Sequence, residues 1–236
     1  MDMPQGHGDA AAEASPCVAG DHVVIDQFLA PDDLRILHDH VSRETFFFEN
    51  AFEWNKVWHP LEGQALVTGP KSYGKTERPG PRFPTDTPYD LFFRAMESHS
   101  ALIADLVGCA VTDIRFLVAG YLYRAGWGLP WHDDAGEYRG AFAFYIHDQW
   151  RGNWGGELMI LRDRRLFEPA PGAIDLGLKQ GAGFPQPAYS AEGKGEFIMP
   201  LSNRMVFMRK GVVHAINRVS PLAGENMRFS LSGFFL

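Results

Sequence analysis

The sequence predicts a mainly β protein with flanking helices, in which most of the strands lie in the C-terminal half. Apolar segments of strand length recur after residue 113, and turns rich in Gly and Pro separate them. Short strands joined by such turns are typical of a sandwich or barrel. The predicted strands in this half cover residues 114–123, 141–147, 157–161, 196–199, 204–208 and 227–235.

The first part of the chain predicts a short strand over 22–29 and two helical stretches. Pro31 opens the first helix, and the acidic residues that follow it favour the first turn. Thr87 is the expected N-cap of the second stretch, with Pro88 at its first position. This stretch runs to about Val107, with a break near 98–100 and a stop at Gly108.

Three segments are not assigned to a regular helix or strand. The aromatic-rich segment 46–58 is interpreted as core, with a pocket wall as the alternative. Residues 61–84 are rich in Gly, Pro and Lys and are expected to form a mobile loop. Residues 162–195 show little periodicity, which leaves a lid over the site or a surface insertion as the two interpretations.

Composition limits the classes of partner. A net charge of −7 argues against a nucleic-acid-binding surface, which would be basic. No apolar run is long enough to span a bilayer, and residues 1–20 lack a secretory signal pattern and are expected to be disordered. Cys17 falls in that tail, so we expect no structural disulfide with Cys109 and a cytoplasmic location.

A short motif, His132-Asp133-Asp134, carries the strongest chemical signal. At the end of a strand, His132 and Asp134 point to one face because side chains alternate. His214 follows an apolar run and can supply a third ligand. Two His and one carboxylate form the facial triad of non-haem Fe(II) oxygenases, which leaves metal positions open.

A second pair suggests an anion site. Arg228 lies fourteen residues after His214, and Arg228 and Ser230 share a strand face. A guanidinium inside a barrel needs an anion, and it can bind a carboxylate bidentately while a hydroxyl adds a hydrogen bond. A dicarboxylate that chelates iron at one end and reaches Arg228 at the other fits this pair. Arg218 is the competing arginine.

These motifs occur in a specific order. Tyr123-Arg124-Ala125-Gly126 precedes His132, and a strand ending Phe144-Tyr145-Ile146-His147 follows it. Next come Gly155-Gly156-Glu157, then Pro200, a strand before His214, and Arg228-Phe229-Ser230. Over about 113–235 this series resembles the 2-oxoglutarate/Fe(II)-dependent dioxygenase superfamily, specifically its prolyl-hydroxylase-like branch.

The resemblance implies a set of roles and a fold. His132, Asp134 and His214 would hold Fe(II). The distal carboxylate of the cosubstrate 2-oxoglutarate would bind Arg228, Ser230 and Tyr145, and Tyr123 would line its pocket. The expected fold is a double-stranded β-helix (jelly-roll) core over 111–236, supported by 21–110, with N-terminal helices packed on one sheet of a single domain over 21–236.

The implied reaction uses O2 and 2-oxoglutarate to hydroxylate, or otherwise oxidise, a C–H bond of a small molecule, an amino acid or a peptide. Succinate and CO2 would be released. Two alternatives stay open: a cupin-like non-redox metalloenzyme, which normally has more histidine ligands, and a non-catalytic ligand-binding barrel. Neither the substrate nor the oligomeric state follows from these residues.

Overall fold

The computed structural model describes residues 17–50, 63–134, 138–162 and 194–236. The helices in these ranges are α1 (Pro31–Val41), α2 (Tyr89–Ser98) and α3 (Ser100–Val107). The strands are β1 (Cys17–Ala19), β2 (His22–Ile25), β3 (Phe46–Asn50), β4 (Gln64–Thr68), β5 (Lys71–Tyr73), β6 (Phe116–Tyr123), β7 (Leu129–His132), β8 (Gly140–Tyr145), β9 (Leu158–Leu161), β10 (Gly195–Ile198), β11 (Met205–Arg209), β12 (His214–Ile216) and β13 (Arg228–Phe235).

Two antiparallel sheets pack face to face in this part of the chain. The larger has the strand order β1-β2-β11-β8-β13-β6-β4-β3, with β5 also paired to β6. The smaller has the order β10-β9-β12-β7. Apolar side chains of both sheets share a buried cluster between them. This arrangement confirms the predicted mainly β fold with a jelly-roll core.

Strand alternation assigns each side chain of the larger sheet to one of two layers. In β8, Phe142 and Phe144 belong to the cluster that the helices cover. Ala141, Ala143 and Tyr145 belong to the cluster between the sheets. The period of two therefore places large aromatic residues against the helices, and it places small residues and one tyrosine towards the smaller sheet.

The helices pack on one face of the larger sheet, as predicted. Leu37 of α1, Phe92 of α2 and Ile103 of α3 are buried in the same cluster as the aromatic residues of β8. His99 separates α2 from α3, and Gly108 ends α3 in the left-handed conformation at φ 67°. The predicted break and stop are therefore confirmed, because a left-handed residue favours glycine.

The start of α2 differs slightly from the prediction. The helix begins at Tyr89, one residue after the expected first position at Pro88. Thr87 still contributes, because its hydroxyl accepts a hydrogen bond from the Tyr89 N–H at 3.3 Å. The Asp90 carboxylate accepts hydrogen bonds from the N–H groups of Thr85 and Asp86 and so orders the chain before the helix.

The interpretation of 46–84 needs two corrections. Phe47 and Phe48 lie in the edge strand β3 and are 59% and 57% exposed, so these two aromatics are not core. Strands β4 and β5 occupy part of the expected mobile loop and pair with β6. These short strands were missed because their pairing partner lies some fifty residues away and leaves no local pattern.

Several predictions fall wholly or partly on residues outside the described ranges. Cys17–Ala19 pair with β2, so the expected tail of 1–20 ends in a strand, and residues 1–16 are outside. Most of the expected lid, 163–193, is outside as well, as are the aromatic residues of 51–58. In the described ranges, no helix has the length and apolar character that a membrane crossing requires.

Candidate metal centre and cosubstrate pocket

The smaller sheet brings the three predicted metal ligands together. His132 ends β7 and His214 begins β12, and the two residues face each other directly in the strand register. The Asp134 Oδ2 atom lies 3.4 Å from His214 Nε2, and Asp134 Oδ1 lies 3.9 Å from His132 Nε2. All three side chains are buried, and their ligand atoms lie within 4.8 Å of one another.

Backbone carbonyls orient both imidazoles. His132 Nδ1 lies 2.7 Å from the Pro130 carbonyl oxygen, and His214 Nδ1 lies 2.9 Å from the Val212 carbonyl oxygen. A carbonyl oxygen can only accept, so each Nδ1 carries the proton that it donates. The Nε2 lone pairs are then available for a metal, which is the usual arrangement around ligating histidines.

The donor set fits a first-row metal ion with an open coordination sphere. Such ions bind nitrogen and carboxylate oxygen at about 2 Å, which places neighbouring ligand atoms about 3 Å apart. The separations of 3.4 and 3.9 Å need only small side-chain shifts to meet this geometry. Two imidazoles and one carboxylate leave positions for further ligands.

The facing side of the larger sheet holds a buried arginine. Arg228 is 1% exposed, and its Nε donates to the Gly156 carbonyl oxygen at 2.8 Å. Its Nη1 and Nη2 lie 3.4 Å from Ser230 Oγ and 3.3 Å from the Tyr145 hydroxyl. Among the described residues, no carboxylate reaches ion-pair distance of this guanidinium. Since a buried charge is unfavourable without a partner, this guanidinium is a candidate for binding an anion.

Two buried tyrosines border the guanidinium. The Arg228 Cζ atom lies 4.8 Å from the Tyr145 ring centre and 5.5 Å from the Tyr123 ring centre. Burial raises the pKa of the Tyr123 hydroxyl to about 12, Arg228 opposes that rise, and the Asp134 carboxylate adds to it. Tyr123 therefore lies within electrostatic reach of both Arg228 and Asp134, and its hydroxyl stays protonated at neutral pH.

A pair of glycines allows the chain to approach Arg228. Gly155 and Gly156 have φ values of 70° and 74°, a region that favours glycine. A Cβ atom at Gly156 would lie 3.0 Å from Arg228 Cδ, and one at Gly155 would lie 2.3 Å from the Arg218 carbonyl oxygen. Gly155 and Gly156 are thus needed for the turn before β9. They also bring the Gly156 carbonyl oxygen to the position where it accepts the hydrogen bond from Arg228 Nε.

Arg228 and Arg218, the two candidates for the anion-binding arginine, differ in burial. Arg228 is buried between the sheets, whereas the Arg218 side chain is exposed. The predicted pairing of Arg228 with Ser230 is also present, since both side chains are buried on one face of β13. Arg228 is therefore the arginine in position to bind an anion beside the metal triad.

His147, two residues after Tyr145, is a buried histidine outside the predicted metal site. It is 5% exposed, and its ring centre lies 4.9 Å from that of Trp150. Its Nδ1 accepts from the Phe229 N–H at 3.2 Å, and its Nε2 donates to the Pro200 carbonyl oxygen at 2.6 Å. These two bonds require the neutral imidazole, and burial lowers the pKa of His147 to about 4.

We expect His147 to make stability depend on pH. The unfolded chain takes up a proton below pH 6.5, while folded His147 stays neutral down to about pH 4. Stability is therefore complete above pH 6.5 and falls by roughly 3 kcal/mol as the pH drops to 4. In urea titrations, His147→Gln should show a smaller loss of unfolding free energy over this range. His22, whose pKa burial also lowers, keeps some dependence in both proteins. Equal slopes for both proteins would contradict this assignment.

Some site features were not found from the sequence. Tyr121 lies two residues before Tyr123 on the same strand face, so alternation alone could have indicated it. The carbonyls of Pro130, Val212 and Gly156, which orient the histidines and the arginine, carry no side-chain signal. Glu49 was not singled out either, because β3 was not recognised as a strand.

Comparison with known proteins agrees with this geometry. The family model of the 2OG-Fe(II) oxygenase superfamily matches residues 116–236, which is just over half of the chain. The chain belongs to this superfamily, so the protein is a 2OG-Fe(II) oxygenase. The family uses Fe(II), 2-oxoglutarate and O2. No curated protein sequence gives a significant match to the chain.

Solved structures show the same fold at low sequence identity. A prolyl-4-hydroxylase from Pseudomonas putida is 18% identical, with 91% of each chain covered and a TM-score of 0.56. A Trichoplax adhaerens prolyl hydroxylase, in complex with a hypoxia inducible factor peptide fragment, is 15% identical, with 92% of this chain and 83% of that chain covered and a TM-score of 0.53. The epimerase SnoN, in complex with Fe3+, alpha ketoglutarate and nogalamycin RO, is 13% identical, with 92% and 79% covered and a TM-score of 0.55.

Proposed function

We propose that this protein is a dioxygenase that oxidises a C–H bond of a small molecule, an amino acid or a peptide, with hydroxylation as the outcome. 2-Oxoglutarate is converted to succinate and CO2 in the same reaction. One observation carries the proposal: the triad and the buried Arg228 both adjoin the cluster between the sheets. His214 pairs with Ile160, Ile160 is buried in that cluster with Tyr145, and the Tyr145 hydroxyl lies 3.3 Å from Arg228 Nη2. This function accounts for both the metal ligands and the buried cation.

Each residue then has a distinct role. His132, Asp134 and His214 hold Fe(II), which, when bound, supplies the activation of O2. Arg228 binds the distal carboxylate of 2-oxoglutarate, and Ser230 and Tyr145 contribute their hydroxyl groups as hydrogen-bond partners. Tyr123 lines the cosubstrate pocket as a neutral phenol. Trp127 precedes β7 and packs against the buried cluster that contains Tyr123, where it shields the site from water.

We also propose that residues 21–236 act as one domain. The support is a shared core, because the helices of the first part and strands of the second part bury their side chains in one cluster. A peptide substrate and a small-molecule substrate both remain in the proposal. The Trichoplax adhaerens structure holds a peptide fragment and the SnoN structure holds nogalamycin RO, and the fold accommodates both kinds of ligand.

The proposed reaction is tested by cosubstrate turnover. The purified protein is incubated with Fe(II), labelled 2-oxoglutarate and air, without a further substrate. We expect slow release of labelled CO2 with an equal amount of succinate, and none under argon. If neither product forms above the rate without protein, also when a panel of amino acids and peptides is present, the proposed reaction is wrong.

A further inference from the structure

The strand register of the larger sheet places an acidic residue opposite the anion-binding arginine. Arg228 of β13 pairs with Tyr123 of β6, and Glu49 of β3 pairs with Ala65 of β4. The register between β4 and β6 puts Ala65 beside Tyr123. Across four neighbouring strands, one row therefore contains Glu49, Ala65, Tyr123 and Arg228 in that order.

This row lies on the face of the sheet that looks towards the metal triad. Ala65 and Tyr123 are buried in one cluster with Val219, between the sheets and away from the helices. Directly opposed residues on paired strands project to the same face. Glu49 therefore shares this face with Tyr123, and its side chain is half-buried.

The length of the row separates the acid from the cosubstrate. Strands in a sheet lie about 4.8 Å apart, so three spacings put the backbones of Glu49 and Arg228 about 14 Å from each other. A five-carbon diacid held by Arg228 and the metal triad is too short to reach Glu49. The acidic end of the row is consequently on the side of the site left for the substrate.

Electrostatics link this acid to the site. Burial is the largest cause that raises the pKa values of Tyr121 and Tyr123, and the carboxylates of both Glu49 and Asp134 raise them further. Glu49 is therefore within electrostatic reach of the same two phenols as the metal ligand Asp134. Arg228 opposes the two carboxylates at Tyr123, so Tyr123 lies between the cationic and the acidic ends of the row.

The cosubstrate half of the site is balanced in formal charge. A divalent metal and Arg228 carry three positive charges, and Asp134 with a dicarboxylate carries three negative charges. On the substrate half, the row contributes the carboxylate of Glu49. Glu49 already interacts within the protein, and a carboxylate has about four acceptor sites, so it can accept further hydrogen bonds. A buried or half-buried carboxylate favours a cation beside it, and the Tyr121 ring and hydroxyl offer further interactions with an ammonium group.

We propose that Glu49 is a specificity-determining residue that selects substrates bearing a protonated amine or guanidinium group. This inference rests on the proposed function, because it assigns a substrate class to the same site. Glu49 receives the cation with its carboxylate, so the bond to be oxidised lies between that cation and the metal triad.

Isothermal titration calorimetry under argon tests the proposal with Fe(II) and 2-oxoglutarate present. The probes are amino acids and short peptides, each supplied as the free amine and as its N-acetyl derivative, which lacks the positive charge. We expect at least one wild-type pair in which the amine binds about tenfold more tightly or better, since one partly desolvated ion pair has that effect. Glu49→Gln should reduce this preference to about threefold or less.

Two further variants make the result specific. Glu49→Asp keeps the charge and should retain part of the preference, which a purely structural role would not explain. Asp105→Asn removes an exposed acid on α3, which packs on the opposite face of the larger sheet, and should bind like wild type. The inference is overturned if no amine binds more tightly than its N-acetyl partner, or if Glu49→Gln keeps the full preference. Binding is read without turnover, so failure of the proposed reaction is seen separately, as absence of succinate from the wild-type protein in air.

Discussion

Replacing Asp134 by alanine is expected to abolish turnover of 2-oxoglutarate. Asp134 supplies the anionic ligand and lies 3.4 Å from His214 Nε2, so the variant leaves two neutral imidazoles to hold a divalent ion. We expect Fe(II) affinity to fall about a hundredfold, the upper end of what even supporting residues of metal sites contribute. Succinate formation should drop below detection at micromolar iron.

Metal binding itself gives an independent measurement of this effect. Co(II) titration of the anaerobic protein, followed by absorption, should show the loss in Asp134→Ala without any need for turnover. Asp113→Asn is a matched control, because Asp113 is exposed and precedes the opposite end of β6. If Asp134→Ala binds Co(II) as tightly as the control does, these three residues are not the metal site.

Replacing Arg228 by methionine is expected to raise the KM for 2-oxoglutarate by about a hundredfold or more. The variant removes two or more charge-assisted hydrogen bonds, each of which contributes about 1.5–3 kcal/mol. The KM of Arg228→Lys should lie between those of the wild type and Arg228→Met. An ammonium group keeps the charge but cannot form the planar, bidentate contact with a carboxylate. The measurement is initial succinate release as a function of 2-oxoglutarate concentration.

Arg218, the competing arginine of the sequence analysis, provides the control. Arg218→Met removes an exposed guanidinium and should leave the KM for 2-oxoglutarate within about twofold of wild type. The opposite result, in which Arg218→Met raises the KM and Arg228→Met does not, would show that the wrong arginine was assigned.

Thermal unfolding separates a binding role for Arg228 from a structural one. In the ligand-free protein its guanidinium is 1% exposed and contacts only neutral acceptors among the described residues. Methionine at this position should therefore preserve or raise the Tm. Added 2-oxoglutarate should stabilise the wild-type protein in the presence of metal and should not stabilise the variant. A large fall in Tm without ligand would indicate a structural role.

The chemistry of the site could be predicted largely from local patterns. His132 and Asp134 are two residues apart, and Arg228 and Ser230 are two residues apart, so strand alternation places each pair on one face whatever the rest of the fold does. The helix break at His99 and the helix end at Gly108 could also be predicted from local sequence, since they depend on the backbone preferences of one or two residues. These predictions needed no knowledge of distant contacts.

Other features depend on partners far away in the chain. His214 meets His132 only because β12 pairs with β7, and Glu49 shares a row with Arg228 only because β3 and β4 extend the larger sheet beyond β6. His147 is neutral because Pro200 and Phe229 surround it. Register between strands is set by tertiary packing, so no short window of sequence contains it. The amino-acid sequence thus specified which residues can do the chemistry, whereas the packing of two sheets decided which of them meet and which charged residues share one face of a sheet.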